Sequence, residues 1–379
     1  MKKTIILYAE ESHDPLDVNL IRFLGVENNM IVVSKETKIQ RLKEKIKTIP
    51  FLTHTLSPIS SKFSPIKRIR INLRNLQKIK EIYSNKNADV IIFSSLYNNM
   101  FIFLMALLFP KKFKSALFVH NIHAWCGKKS GYNNIQKYTR MKLIKKFTSL
   151  FVLDDYLIEI AEKELKKMAF YFPFKTSNKT IIEQRKLKTT NSQTTILTIP
   201  GMVMPERKDY YWVFDYLEEV KEDFQLILLG KVHDKKIVKV GQQKLGKKLV
   251  YFEKYLDTNT FNDLLLQSHA IIGNINKQSF YGVYKISGVE YDGPANAIPV
   301  ILEDKVFEKN THGYFLRFSN KNEFIQIIQE IIESVKKGCY TQNYLEESIK
   351  QSGFFSEDDW QRNINQDVDV ICKDKNKQK

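Results

Sequence analysis

The stretch YGVYKISGVEYDGPANAIPVILED, residues 281 to 304, gathers several chemistry-bearing residue types in one place. It supplies a cation at Lys285, a hydroxyl at Ser287, bare backbone at Gly288 and a carboxylate at Asp292, then the apolar run AIPVIL. Two readings compete. In the first, Ser287 caps a short helix and Ala297 to Leu302 is the next core strand. In the second, the four residues meet a ligand with a phosphate at one end and a sugar hydroxyl at the other. A helix N-terminus with a Gly seats an anion, and a carboxylate, which only accepts hydrogen bonds, suits a diol. Pro294 keeps any helix here short, because a proline inside a helix removes a bond and clashes. Other candidates are Gly201, Arg207 and Lys208 in GMVMPERKDY, His120 and His123 in HNIHAW, and His13 and Asp14 in ESHDP. A histidine at a strand end changes charge near neutral pH. Each candidate has a plainer alternative: a satisfied core histidine, a solvated Lys208 beside Glu206, Lys285 on an exposed loop, a turn at Gly288, or ordinary helix polarity at Glu290 and Asp292.

These residues need strands and helices to hold them. At 379 residues the chain is too long for one ordinary core and suits two domains. Ten short runs, most of them apolar or β-branched throughout rather than alternating, are candidate strands: residues 4–9, 30–35, 89–95, 115–120, 149–154, 195–200, 224–230, 248–254, 269–275 and 298–303. Such runs are strands buried on both faces, as in a parallel sheet. Helical spacers such as WVFDYLEEVKE (212–222) and TFNDLLLQ (260–267) complete βαβ units. The polar segment between Pro173 and Thr195 reads as the junction. The expected fold class is α/β: two doubly wound Rossmann-like domains facing across a cleft, with ligands at the carboxyl ends of the strands. The expected boundaries are 1–175, 190–345 and a last helical segment, 346–372, crossing back to the first domain.

Composition narrows the function classes. The net charge of +18 points to nucleic acid, an anionic membrane or anionic substrates. Residues 35–86 carry fourteen Lys or Arg against three Glu. Arg70, Arg74 and Lys78 recur every four residues with Ile71, Leu73, Leu76 and Ile79 interleaved, a pattern that fits a helix lying on anionic lipid. A solvated basic face is the equal alternative. No nucleic-acid-reading module is visible, so no nucleic-acid partner is expected. Three scattered cysteines support neither a zinc site nor a disulfide framework and fit a reducing compartment. MKKTIILYAEES lacks the features of a signal peptide, since Glu10 and Glu11 follow the apolar run at once. The run Met100 to Phe109 is about half a bilayer span and reads as a buried helix.

Taken in order, these segments resemble the GT-B glycosyltransferases, and among them a divergent subgroup of the group 1 transferases that use nucleotide sugars. TILTIPGMVMPERKDYYWVFDYLEEV is similar to the opening of their second domain. VYFEKYLDTNTFNDLLLQSHAIIGNI is similar to the segment leading to the donor site. YGVYKISGVEYDGPANAIPVIL occupies the position of their paired-glutamate motif. ALFVHNIHAW resembles the first-domain strand that ends in a His. Asp292 falls where the second glutamate would be, but the first falls on Tyr284, and Met202 stands where an arginine is usual.

The resemblance implies a retaining, metal-independent hexosyltransferase of the cytoplasm, peripheral on the inner face of the plasma membrane through residues 35–86. Its substrates would be a UDP- or GDP-linked sugar and a glycan or lipid-linked acceptor, in surface polysaccharide or glycoconjugate synthesis, with no further cofactor. Donor-binding roles fall to Lys208, Lys285, Ser287, Gly288, Asp292, Gly201 and Arg207. Catalytic roles fall to His120, His13 and Asp14, a base near the first strand being what an inverting course would need. The alternatives are a non-catalytic GT-B module that scaffolds a glycosylation complex, a GT-B nucleotide-sugar epimerase or phosphorylase and, last, a basic nucleic-acid binder.

Overall fold

Strands whose two faces are both covered must be apolar on both, and all ten candidate runs fold as strands. The computed structural model describes residues 2–10, 14–127, 131–173, 175–190, 193–276, 281–304, 306, 312–353 and 356–373. The chain divides into two units, Met1–Phe174 with Glu357–Lys379, and Lys175–Ser356.

The first unit holds strands Thr4–Tyr8 (β1), Asn29–Ser34 (β2), Leu52–Thr55 (β3), Val90–Phe93 (β4), Ser115–Phe118 (β5), Ser149–Val152 (β6) and Ala169–Tyr171 (β7). They form one parallel sheet in the order β3-β2-β1-β4-β5-β6-β7. The direction of travel therefore reverses between β1 and β4. Its helices are Asp14–Gly25 (α1), Glu36–Lys45 (α2), Pro65–Asn85 (α3), Asn99–Leu108 (α4), Ile122–Trp125 (α5), Asn134–Ile144 (α6) and Tyr156–Leu165 (α7).

The second unit holds Thr195–Pro200 (β8), Phe224–Lys231 (β9), Leu249–Phe252 (β10), Ala270–Ile272 (β11), Val300–Glu303 (β12) and Phe315–Phe318 (β13). They too are parallel, in the order β10-β9-β8-β11-β12-β13, with the reversal between β8 and β11. Its helices are Lys179–Thr190 (α8), Tyr211–Leu217 (α9), Lys235–Leu245 (α10), Thr258–Gln267 (α11), Val289–Asp292 (α12), Lys321–Lys336 (α13) and Glu346–Ser352 (α14). After Ser356 the chain rejoins the first unit as Glu357–Lys373 (α15). The segment expected as one helical stretch over 346–372 is thus two helices belonging to different units.

Five further elements depart from the sequence expectation. The strands β3, β7 and β13 were not anticipated; each is an edge strand. The polar segment expected to be a bare junction carries α8. That helix is pinned by Arg185, whose guanidinium is fully buried and donates to Leu266 O (2.8 Å), to Ala297 O (3.4 Å) and to the Tyr340 hydroxyl (2.9 Å). The run expected as a wholly buried helix is α4, which buries Phe101, Ile102, Leu104 and Met105 but leaves Phe103, Leu107 and Leu108 outside. Among the described residues no helix is long and apolar enough to cross a membrane.

The first unit is closed by α15, which lies along α1. Its apolar stripe, Trp360, Ile364, Val368 and Ile371, is buried. Trp360 meets Tyr171 edge-on at 4.7 Å. Asn365 bonds Asn28 (2.8 Å) and the Phe23 carbonyl (3.3 Å). Removing the indole leaves a large void, so Trp360→Ala should destabilise the first unit by about 3 kcal/mol, read from its urea midpoint. A cost below ~1 kcal/mol would show that α15 is only loosely attached.

Candidate functional sites

In the second unit the strand reversal leaves a gap between the loops after β8 and β11, and that gap is filled by polar backbone and one lysine. The chain leaves β8 at Pro200 and turns at Gly201 with φ +96°, a left-handed value that disfavours a side chain. A Cβ on Gly230, in β9, would lie 2.3 Å from the Gly201 carbonyl oxygen, so the close approach of the two strands requires glycine there. The returning segment is bonded to the loop after β11: Asp209 N to Asn274 O (2.9 Å) and Asn276 N to Arg207 O (3.1 Å). Lys208 lies between these bonds, is 7% exposed, and its ammonium donates to Pro200 O. Burial pushes its pKa down to about 8 despite the attraction of Asp292, and nearby Arg207 pushes the same way. Arg207 itself is exposed.

The stretch that opened the sequence reading folds as a turn followed by the one-turn helix α12. Ser287 N donates to Glu290 Oε1 (2.6 Å) and Val289 N to Ser287 Oγ (3.4 Å), while the N-cap position itself falls on Gly288 and has no side-chain cap. Ser287 and Glu290 are buried. Asp292 is buried as well, forms an ion pair with Lys175, and sits close enough to Lys208 to act on it electrostatically. Its Oδ2 lies 3.4 Å from where a Gly288 Cβ would stand. Gly288 is exposed. Lys285 stands 3.8 Å over the Tyr281 ring, the two residues bridged through their backbones.

The structure therefore gathers Gly201, Lys208, Gly288 and Asp292 about one buried charge cluster and adds Lys175, which sequence reasoning did not select. Nothing in the local pattern of FKTSNK marks that lysine. At the same carboxyl edge a cavity of about 490 Å³ is lined by Asp209, Trp212, Asn276, Glu303, Phe318 and Asn320.

In the first unit the corresponding reversal, between β1 and β4, brings Glu10 and Tyr97 together. Glu10 Oε2 accepts from Tyr97 N (2.9 Å) and Oε1 from the Tyr8 hydroxyl (3.5 Å). Burial raises this carboxyl to about 7, against the backbone donors of Tyr97 and Asn98 and the charge of Lys35. It lines a cavity of about 410 Å³ with Tyr8, Lys35, Ser57, Asn72, Asn75 and Asn98. Glu10 was noted in the sequence only as an argument against a signal peptide. The available signal was its position, an acid directly after the first strand of a doubly wound unit.

His120 follows β5 at the same edge. Its Nε2 lies 2.8 Å from the Ser94 carbonyl. A carbonyl only accepts, so the proton is on Nε2. Burial lowers the pKa to about 4, and the ring is neutral at physiological pH. His123, three residues on, belongs to α5.

Asp14 departs from the expectation of a base. It is held by Lys38 (2.6 Å), Arg41 (3.2 Å) and Lys45 (3.0 Å). Burial alone would raise its pKa, but the Lys38 and Lys45 hydrogen bonds outweigh it and hold the carboxyl at about 2. So acidic a group takes up no proton near neutrality; it pins α2 to the first turn of α1. His13 lies outside the described residues. Among those residues, no group of three or more His, Cys, Asp or Glu is arranged to hold a metal ion.

No protein-family model matches the sequence, and no curated protein does either. Solved structures match over nearly the whole chain. A glycosyltransferase from Rickettsia africae ESF-5 has a TM-score of 0.68 at 16% identity, over 98% of this chain and 99% of that one. Sucrose-phosphate synthase from Thermosynechococcus elongatus has a TM-score of 0.67 at 11% identity, over 98% and 99%. Anabaena HepE in complex with UDP has a TM-score of 0.63 at 12% identity, over 97% and 100%. The fold is the α/β GT-B fold that the sequence resembled.

Because the folded state favours a neutral Glu10, its contribution to stability is full below about pH 4.5 and is lost as pH rises towards 7. Between about pH 5 and pH 8, wild type should lose about 2 kcal/mol more than Glu10→Gln in denaturant titrations. Parallel losses in the two proteins would show that Glu10 is ionised well below neutrality.

Proposed function

We propose that the protein is a glycosyltransferase. In this reading it moves a hexose from a UDP- or GDP-linked donor to a hydroxyl of a glycan or lipid-linked acceptor, in surface polysaccharide or glycoconjugate synthesis. The observation that carries it is Lys208, an ammonium buried at the strand reversal of the second unit beside Lys175 and Asp292. A cation kept from water is costly unless something anionic meets it. A diphosphate that gains charge as its sugar bond breaks is such a group, and fixed cations act on it strongly where water is excluded. The likeness to HepE, solved with UDP, favours UDP over GDP.

The residues divide the work as follows. Lys208 and Lys175 receive the diphosphate, with Arg207 at the rim and Lys285 and the Ser287–Gly288 backbone nearby. Asp292 accepts from ribose hydroxyls in place of Lys175, which turns to the phosphate. The cavity beside Asp209 and Asn276 takes the nucleoside. In the first unit the polar cavity around Glu10 takes the acceptor, with Glu10 accepting a hydroxyl hydrogen and neutral His120 beside it. In the transfer, the acceptor oxygen bonds to the anomeric carbon and the bond from that carbon to the diphosphate breaks. The diphosphate leaves with the electron pair. In the retaining course that we favour, a donor phosphate oxygen takes the hydroxyl proton. Lysines rather than a divalent cation meet the leaving charge, so turnover should survive chelation by EDTA. The enzyme works in the cytoplasm, at the membrane face where a lipid-linked acceptor would lie.

A thermal-shift panel of UDP, GDP, CMP and their sugars tests this reading. One nucleotide should stabilise wild type, by roughly 2.7 kcal/mol at a hundredfold excess over its dissociation constant, and should fail to stabilise Lys208→Met or Asp292→Asn. If no nucleotide shifts wild type, the donor-site reading falls and the non-catalytic scaffold takes its place. The pH dependence is a second check. Above pH 8 Lys208 loses its charge, so nucleotide affinity should weaken there by up to about tenfold per pH unit, and Lys208→Arg should remove that dependence.

A further inference from the structure

The sequence placed lipid contact on α3, but the structure spends much of that helix on the core. Leu76, Ile79 and Ile82 are buried, and Lys78 donates to Thr55 O (2.7 Å). The neighbouring pair α4 and α6 is arranged the other way. The two helices pack side by side, with Arg140 Nη2 bonded to Asn99 Oδ1 (2.9 Å) and Lys146 Nζ to Phe109 O (2.9 Å). Their outer faces are apolar. On α4, Phe103, Leu107 and Leu108 point outward; on α6, Ile135 and Tyr138 are 66% and 64% exposed and Met141 is 46% exposed. Ile135, Tyr138 and Met141 recur every third residue, so they form one stripe.

The stretch of chain that builds this face carries charge of one sign. Between Asp89 and Asp154 the chain has 64 residues with ten Lys or Arg and no Asp or Glu. Within it Lys111, Lys112 and Lys145 are exposed, and Lys142 reaches over the Tyr138 ring (5.8 Å).

We propose that the outer face of α4 and α6 docks the protein on an anionic lipid bilayer, its apolar side chains entering the headgroup boundary and its lysines meeting lipid phosphates. A bilayer matches both halves of the observation. Nucleic acid would use the cations and leave the outward Phe, Leu and Ile side chains without a partner. A protein partner or a second copy would use the apolar stripe but has no need of a 64-residue stretch emptied of acids. Amphipathic faces rich in Lys with large apolar side chains bind in just this manner, and long lysine stems let the charge reach the surface from beside an apolar patch. The face does not depend on the nucleotide site, so either reading can fail alone.

The test is co-sedimentation of the full chain with vesicles of phosphatidylcholine, with and without phosphatidylglycerol. Wild type should bind the mixed vesicles, ignore pure phosphatidylcholine, and dissociate at high salt. Leu107→Glu/Tyr138→Glu should weaken binding by about tenfold or more, Lys111→Glu/Lys112→Glu should weaken it less, and Arg70→Glu/Arg74→Glu on α3 should keep most of it. An unchanged circular-dichroism melt shows that each variant is folded. The proposal is overturned if wild type ignores anionic vesicles, if the α4–α6 variants bind as wild type does, or if the α3 variant alone abolishes binding. It is overturned as well if Leu107→Glu/Tyr138→Glu converts a dimer to a monomer with no effect on vesicles.

Discussion

Both candidate sites depend on one constraint of the parallel sheet. Every strand runs the same way, so every crossover returns over the face and every strand delivers its following loop to the same edge. Where the strand order reverses, adjacent loops diverge to opposite sides and leave a recess. In the first unit that recess lies between the loops after β1 and β4, and it holds Glu10 and Tyr97. In the second it lies between those after β8 and β11, and it holds Lys208. Neither residue is placed by its own neighbours in sequence; each is placed by the order of strands.

Burial without full neutralisation is the second common theme. Glu10 and Asp14 stand four residues apart, and their environments drive them in opposite directions. Glu10 loses water, and the backbone N–H groups and the charge of Lys35 do not make up for it, so the neutral form gains. Asp14 loses less water and gains three cations, so the charged form gains. Lys208 resembles Glu10 with the sign reversed. Its ammonium has a carbonyl and a carboxylate in range, yet desolvation still dominates. A carboxyl and an amine brought close to neutrality in this way take up or release a proton at little cost. Asp14 has become a fastener.

The same physics decides what could be read from the sequence. Central strands were legible because both faces are covered and the run must be apolar throughout, as in VIIF of β4 and AII of β11. The edge strands β3 and β13 escaped because an edge position leaves room for mixed polarity, as in LTHT with its two exposed residues and FLRF with its arginine, and β7 escaped because AFY is only three residues long. Helix α8 escaped for a different reason. Its sequence is polar nearly throughout, and what fixes it is a single arginine satisfied by groups some eighty to one hundred and fifty residues away. At the candidate sites, Lys208 and Asp292 could be named from the sequence because a family resemblance carries them. Glu10 and Lys175 could not, because their significance lies in partners and burial that no local window contains. Asp14 was mistaken for a base on proximity to the first strand, since three lysines and arginines from the next helix cannot be seen from ESHDP.

The return of α15 to the first unit has a consequence for how the chain is made. On the ribosome the seven strands of the first sheet emerge first, but the groove between α1 and the edge beyond β7 waits for Trp360 and its stripe. Helix α1 and the turn after it, whose Phe23 carbonyl and Asn28 side chain bond Asn365 of α15, must stay partly uncovered while the whole of the second unit is synthesised. The second unit, whose residues are contiguous, can close before the first is finished. The order of completion is therefore the reverse of the order of synthesis. During elongation the half-built first sheet is the part of the nascent protein most in need of a chaperone's cover.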